Sequence, residues 1–390
     1  MKPQLLALLL AGLSGSSWAG GLYLYELGTE DVGLAGAGSA ARAQDATTIA
    51  TNPAGMTMLE GDQLTIGLQG LYGDAKYQQD GRGAFSGNEA GNVVGWFPGM
   101  SVFYSHSVDE QLKVGIGVYG NFGLGLDFGD WAGSRLIKRS TLLGMTIQPT
   151  VAYKINDQWS VGGSINANYG VFSLTRSTPG GDVELNDTDW SASIKLGVLY
   201  QPDHATRLGL SYTSETEYNF NSSVNHPLGG QIPASGSINA PQQLMFSAFH
   251  QLAPQWAVMA NLGWQNWEAY NDNQLWLGNN EAPNADRMQD TWHTALGLQY
   301  QATPALRLNT GIAYDSSFYK DQQNTSMTMP SGEAWRFGLG GQYQLNKTDS
   351  LGVAFEYVHF DSAYVPSPLL SGAYHSPKMY FITANYSKKF

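Results

Sequence analysis

Few residue patterns in this 390-residue chain could carry covalent chemistry, and none has the surroundings that chemistry needs. Gly115-Ile116-Gly117-Val118-Tyr119-Gly120 spells the GxGxxG spacing that cradles a pyrophosphate. It lies in an alternating, strand-like run with no helix after it, so the helix N-terminus that would meet the phosphates is missing. No GxSxG turn occurs in the expected mature chain, and the seven histidines are scattered without an HExxH pair. There is no cysteine, which removes disulfides and thiolate metal sites. A net charge of −12 argues against a nucleic-acid partner, which would want a basic stripe. These residues point to binding and movement of a ligand, with no enzyme activity, no metal and no cofactor.

The elements that would position a binding site follow from composition. Charged residues make up 13% of the chain, aromatics 12%, and glycine supplies 47 positions. Such a chain suits a barrel with one apolar and one polar face. Met1 to Ala19 reads as a secretory signal peptide: Lys2 gives a charged start, Leu5 to Leu13 an apolar core, and Ser17-Trp18-Ala19 a small-residue cleavage site. No later run approaches the 18 apolar residues of a membrane-spanning helix. The stretch from Gly33 to Met58 is rich in glycine and alanine and cannot build a core of its own. It reads as a plug folded inside whatever follows. Asn52-Pro53 starts a helix of a turn or two, since Asn can cap and Pro is pre-set for the first helical position. Gly33, Gly36 and Gly38 permit positive φ or close backbone approach.

From Leu64 the period becomes two. Leu64, Ile66, Leu68 and Tyr72 oppose Thr65, Gly67 and Gln69; Phe337, Leu339, Tyr343 and Leu345 oppose Arg336, Gln342 and Gln344. In lipid every backbone polar group must be paired, so such strands must close into a barrel with polar side chains toward the lumen. Six short connections alternate with seven long ones, drawn at 74–94, 121–140, 175–188, 221–241, 270–290, 316–332 and 361–377. Thirteen connections give fourteen strands. Trp96, Trp159, Trp256, Trp267, Trp292, Tyr300, Tyr343 and Tyr357 fall at strand ends, as interfacial girdles require. Pro149 sits inside one strand and implies either a bulge or a different boundary. The expected organisation is a signal peptide at 1–19, an N-terminal segment and plug at 20–61, and an all-β transmembrane barrel at 62–390.

One set of residues carries a resemblance. Gly33-Leu34-Ala35-Gly36-Ala37-Gly38, Gln44-Asp45-Ala46 and above all Asn52-Pro53-Ala54-Gly55-Met56 are followed by Trp96-Phe97-Pro98-Gly99-Met100, Tyr119-Gly120-Asn121-Phe122-Gly123-Leu124, Asn156-Asp157-Gln158-Trp159 and the terminal Phe390. Together they resemble, in order and over essentially the whole mature chain, the FadL family of outer-membrane long-chain fatty acid transporters. The resemblance implies a fourteen-stranded antiparallel β-barrel in a Gram-negative outer membrane, with Asn52, Pro53 and Ala54 marking an N-terminal hatch in the lumen. It implies passive uptake of a long-chain fatty acid by a monomer. Arg176 matches a family arginine at the substrate carboxylate, and Arg287 is a second, looser candidate. The first mature residues would fold into the lumen, with Leu22 and its neighbour Tyr23 filling the tail site until ligand displaces them. Gly120, Asn121, Phe122 and Gly123 would form a kink that opens the wall sideways, Phe122 also touching substrate. Lateral release suits an apolar ligand, which then avoids a watery lumen. The outer membrane's lipid and lipopolysaccharide would surround the barrel, and a terminal Phe390 resembles the signal read by the barrel assembly machinery.

The outer loops around 173–189 and 221–241 look shorter than in the best-known members, which leaves substrate identity open. The alternatives are another hydrophobe, such as an aromatic hydrocarbon, an alkane or an oxidised lipid moving outward, and an outer-membrane barrel enzyme.

Overall fold

The computed structural model describes residues 24–225, 231–281 and 288–390. Fourteen antiparallel strands close into one barrel. In chain order they are β1 (Gln63–Asp74), β2 (Gly95–Ser107), β3 (Leu112–Asp127), β4 (Arg139–Lys154), β5 (Trp159–Thr178), β6 (Gly181–Tyr200), β7 (Thr206–Thr213), β8 (Gln243–Ala253), β9 (Trp256–Gln265), β10 (Thr291–Gln301), β11 (Leu306–Asp315), β12 (Ala334–Gln344), β13 (Asp349–Phe360) and β14 (Lys378–Lys389). Each pairs with its neighbours in sequence, and β14 closes on β1 from Gln63 opposite Lys389 to Asp74 opposite Lys378. Phe390 continues that seam, its N–H donating to Asp62 O at 3.0 Å.

The period-two pattern sorts side chains as lipid requires. Leu68, Ile165, Leu296, Leu339, Val353 and Ile382 are exposed on the outside, while Gln148, Asn166, Asn168, Ser247, Asn261 and Asn385 are buried inside. The short connections are tied by side-chain turns. Asn156 Oδ1 accepts from the N–H groups of Gln158 and Trp159, and Asp203 Oδ1 from those of Ala205 and Thr206.

Three expectations change. The loop drawn at 175–188 is instead a hairpin in which β5 and β6 run far beyond the wall and turn through Pro179 and Gly180, Thr178 opposite Gly181. The loop drawn from Asn121 starts only after Asp127, because β3 continues past its glycines. Pro149 makes no bulge: Ile147 faces Ala167 on one side of it and Thr150 faces Ser164 on the other, the same register, and Pro149 itself stays opposite Ile116. It removes one ladder bond and shifts nothing. Of the expected girdle, Trp96, Trp159, Trp256, Trp292 and Tyr343 are exposed on the outer face. Trp267 is not: it is 2% exposed in the 3-10 turn Trp267–Asp272, where its Nε1–H donates to Gln265 Oε1 at 2.8 Å.

Beyond the wall, a four-stranded sheet (Thr216–Asn225, Gln231–Ala240, Leu275–Leu277, Asn280–Glu281) and a three-stranded one (Tyr77–Gln79, Ala363–Val365, Gly372–Tyr374) are built from the long connections. Phe128, Trp131, Tyr218, Phe220, Phe318 and Tyr374 belong to a large buried apolar cluster formed by these connections and strand ends.

Candidate functional site

The lumen is filled by small helical turns: α1 (Thr29–Gly33), α2 (Thr48–Thr51) and the 3-10 turn Pro53–Met58. The turn begins as its sequence predicts. Asn52 Oδ1 accepts from Ala54 N–H at 3.1 Å, with Pro53 at the first position. The same side chain fastens the plug to itself and to the wall, Nδ2 donating to Ala40 O at 2.6 Å and to Val198 O on β6 at 3.0 Å. Small residues are needed because backbone meets backbone. A Cβ on Gly311 of β11 would run into Leu34 O, and one on Gly209 of β7 into Ala40 O. Gly36 and Gly38 take positive φ, as expected; Gly33 does not, and instead packs against Gly340 of β12.

The plug is also fastened by charge. Arg42 binds Asp31 at 2.6 Å and Glu30 at 3.0 Å, all three buried, and Arg307 of β11 reaches Glu30 from the wall. Lys195 Nζ donates to Ala50 O, and Gln148 Nε2 to Ile49 O at 2.6 Å. Asp45 lies at the rim of a polar cavity of about 230 Å³ among the turns Gln301–Ala305 and Gln344–Ser350. Burial, and then the nearby Glu30 carboxylate, pushes its carboxyl up to about 6.

The wall is open on one side. β2 and β3 pair from Ser107 opposite Lys113 only as far as Val102 opposite Val118. Above that point Gly95–Ser101 pairs with β1 alone, and the rest of β3 pairs with β4 alone. β3 also bulges there: Gly120 faces Met145, Phe122 faces Gly144, and Asn121 is left over. Gly123 follows with φ +124°, where a Cβ would strike Leu142 O. The predicted kink residues Gly120, Asn121, Phe122 and Gly123 thus come together at the gap, inside a strand instead of at its end.

Through this gap runs an apolar chamber of about 340 Å³. Leu24, Leu27, Phe97 and Phe122 line it from within, and Leu68 and Met100 from the lipid face. Among the described residues Glu26 is its one charged lining group. The N-terminal segment touches the kink directly, Leu24 N–H donating to Asn121 O at 3.1 Å.

Other predicted site residues are not in this assembly. Leu22, Tyr23 and Arg287 lie outside the described residues. Arg176 is half-buried in the outer part of β5, opposite Val183, and does not line the chamber. Sequence reasoning missed Tyr25, Glu26, His293, Asp315, Arg336 and Glu356, which meet in the lumen through Arg336. The signal was available: Arg336 falls on the lumen-facing parity of its strand, where a charge needs partners.

The family described as outer membrane protein transport protein (OMPP1/FadL/TodX) matches residues 10–386. The chain belongs to that family. It is 26% identical over 413 residues to the long-chain fatty acid transport protein of Escherichia coli K12, covering 92% of each, and 26% identical over 431 residues to outer membrane protein P1 of Haemophilus influenzae, covering 91% of this chain and 90% of that one. In fold it is similar to a FadL homologue from Pseudomonas aeruginosa, with a TM-score of 0.83 at 17% identity over 95% of this chain and 99% of the other. The toluene transporter TodX of Pseudomonas putida superposes with a TM-score of 0.69 at 17% identity, over 93% and 98%. The protein is therefore an outer-membrane transporter of a hydrophobic compound, and not an enzyme.

Proposed function

We propose that this barrel takes up long-chain fatty acids passively and releases them sideways into the outer membrane through the opening between β2 and β3. The chamber across the wall carries this reading. Its volume falls in the range of small-molecule sites, and its lining is almost wholly apolar. It joins the lumen to the lipid face, so a tail passing through it never enters bulk water. The plug stays seated during transport, because its bonds to the wall are buried on several sides. The N-terminal segment around Leu22, Tyr23 and Leu24 moves instead, displaced by ligand that competes for the same contacts. Arg176, half-buried among the outer extensions, makes the first contact with the carboxylate; Arg287 is assigned no role.

A neutral hydrophobe is the second reading, favoured by one observation: among the described residues no cation lines the chamber. Deleting Asn121 tests the route for either substrate, because it removes the bulge and lets β3 and β4 pair without a shift. The expected result is a folded barrel whose fatty acid uptake falls at least tenfold, while binding to detergent-solubilised protein persists. Unchanged uptake overturns the lateral route. Uptake of toluene but of no fatty acid by the unaltered protein selects the second reading.

A further inference from the structure

Arg336 on β12 stands among three carboxylates. Its Nε donates to Asp315 Oδ2 at 2.5 Å, and its Nη1 to Glu356 Oε1 at 3.1 Å and to Glu26 Oε1. His293 Nδ1 lies 2.6 Å from Asp315 Oδ1 on the far side. Asp315, Glu356 and His293 belong to barrel strands and cannot leave. Glu26 belongs to the segment ahead of α1, and its side chain lines the wall chamber. Leu24 places an aliphatic group in that chamber, and Tyr25 stacks on His293 with ring centroids 4.1 Å apart. One end of the chamber is thus already occupied by a carboxylate on a guanidinium with an aliphatic group beside it. That is the pattern of an apolar tail and its acid head.

We propose that Arg336 is the inner site for the carboxyl group of a long-chain acid, and that Glu26 is its built-in occupant. The arriving acid lays its tail where Leu24 lies and sets its carboxyl on Arg336 Nη1 in place of Glu26. The inference rests on the reading that the chamber takes the substrate. Its physical basis is like-for-like exchange. Three carboxylates facing one guanidinium and one imidazole form a charge set that is costly to alter when buried. Replacing one carboxyl by another leaves both charge and proton count unchanged. A fatty carboxylate placed in the chamber without this exchange would have no cation to face, and a buried unpaired charge is expensive. The tethered Glu26 competes at high effective concentration, so binding is weaker than the contacts alone would give.

The experiment compares hexadecanoic acid with hexadecan-1-ol, equal tails with and without the carboxyl, on the purified full-length barrel. Glu26→Gln weakens the occupant and is expected to raise acid affinity about tenfold while alcohol affinity changes little. Arg336→Gln is expected to erase the preference for the acid; a shift in gel mobility on heating reports whether that variant has folded. The chain has no cysteine, so Tyr25→Cys gives a single thiol whose labelling should rise at least tenfold with saturating acid and much less with alcohol. Acid binding that ignores Glu26→Gln and leaves position 25 protected overturns the exchange and leaves the uptake reading standing. Wild-type protein that binds neither lipid overturns both. If Arg336→Gln fails to fold, Glu26→Gln and the thiol readout decide alone.

Discussion

The lumen holds two consecutive pieces of one N-terminal chain that are fastened in different ways. From residue 28 to 58 the plug makes buried bonds all round. Asn261 binds Gly38, Ser247 binds Ala40, Gln148 binds Ile49, Lys195 binds Ala50, and Arg42 locks Glu30 and Asp31 within. From Leu24 to Leu27 the chain has one backbone bond to Asn121, one ring stack and one charged socket. The wall differs in parallel. Opposite the plug the strands are paired without interruption; opposite Leu24 the β2–β3 ladder is missing and β3 is bulged. Local opening follows local contact density, so the two pieces should open independently and the second far more readily.

Arg42→Gln should show the largest effect. It strands two buried carboxylates, Glu30 retaining Arg307 and Asp31 losing its ion pair. Removing one partner of a buried ion pair costs about 3–5 kcal/mol. Amide exchange across residues 29–58 should accelerate by a hundredfold or more, while Leu24 to Leu27 changes little. Equal acceleration in both pieces would break the comparison and make them one unit.

Asn52→Ala should follow. It leaves Ala40 O and Val198 O without the Asn52 donor and Ala54 N–H without its cap. Losing such buried bonds costs about 1–3 kcal/mol. Asn52→Asp keeps an acceptor for Ala54 and loses only the donors, so comparing the two variants by exchange at Ala54 and Met56 separates capping from attachment. An effect confined to the 3-10 turn in both variants would show that the contact with Val198 holds nothing.

What was legible in the sequence has a physical pattern. The strand count and closure were readable because lipid imposes period two on every span and alternates short with long connections. Asn52-Pro53 was readable because a cap is a local device. The kink residues were placed correctly, yet their strand ends six residues later than drawn, at Asp127 instead of Asn121, because glycine weakens a strand pattern without ending the pairing. The hairpin across Pro179 looked like a loop because its exposed residues, Asp182, Glu184, Asp187 and Asp189, are polar and carry no lipid face. The Arg336 socket was missed for another reason. Glu26, His293, Asp315, Arg336 and Glu356 come from five separate parts of the chain, and only barrel closure around the N-terminal segment brings them together.

The smallest effect expected is a pH dependence that belongs to the plug alone. The Asp45 carboxyl is pushed up to about 6 by burial and by Glu30, against an ordinary value of 3.8. A carboxyl that holds its proton more tightly when folded stabilises the fold below its unfolded value, and that contribution is lost as the pH rises through the folded one. Between about pH 4 and pH 6, then, the plug around Asp45 should loosen, on the order of 1 kcal/mol given the partial exposure of the group. Asp45→Asn should remove the dependence. The ratio of wild-type to variant amide exchange at Ala46 to Ile49, measured at several pH values, cancels the intrinsic pH dependence of exchange and isolates this one carboxyl. A flat ratio would mean that Asp45 is already charged in the folded plug, its cost met by water in the cavity beneath. A ratio that changes equally at Leu24 to Leu27 would mean that protonation beneath the plug reaches the segment at the wall, and that the two fastenings are one.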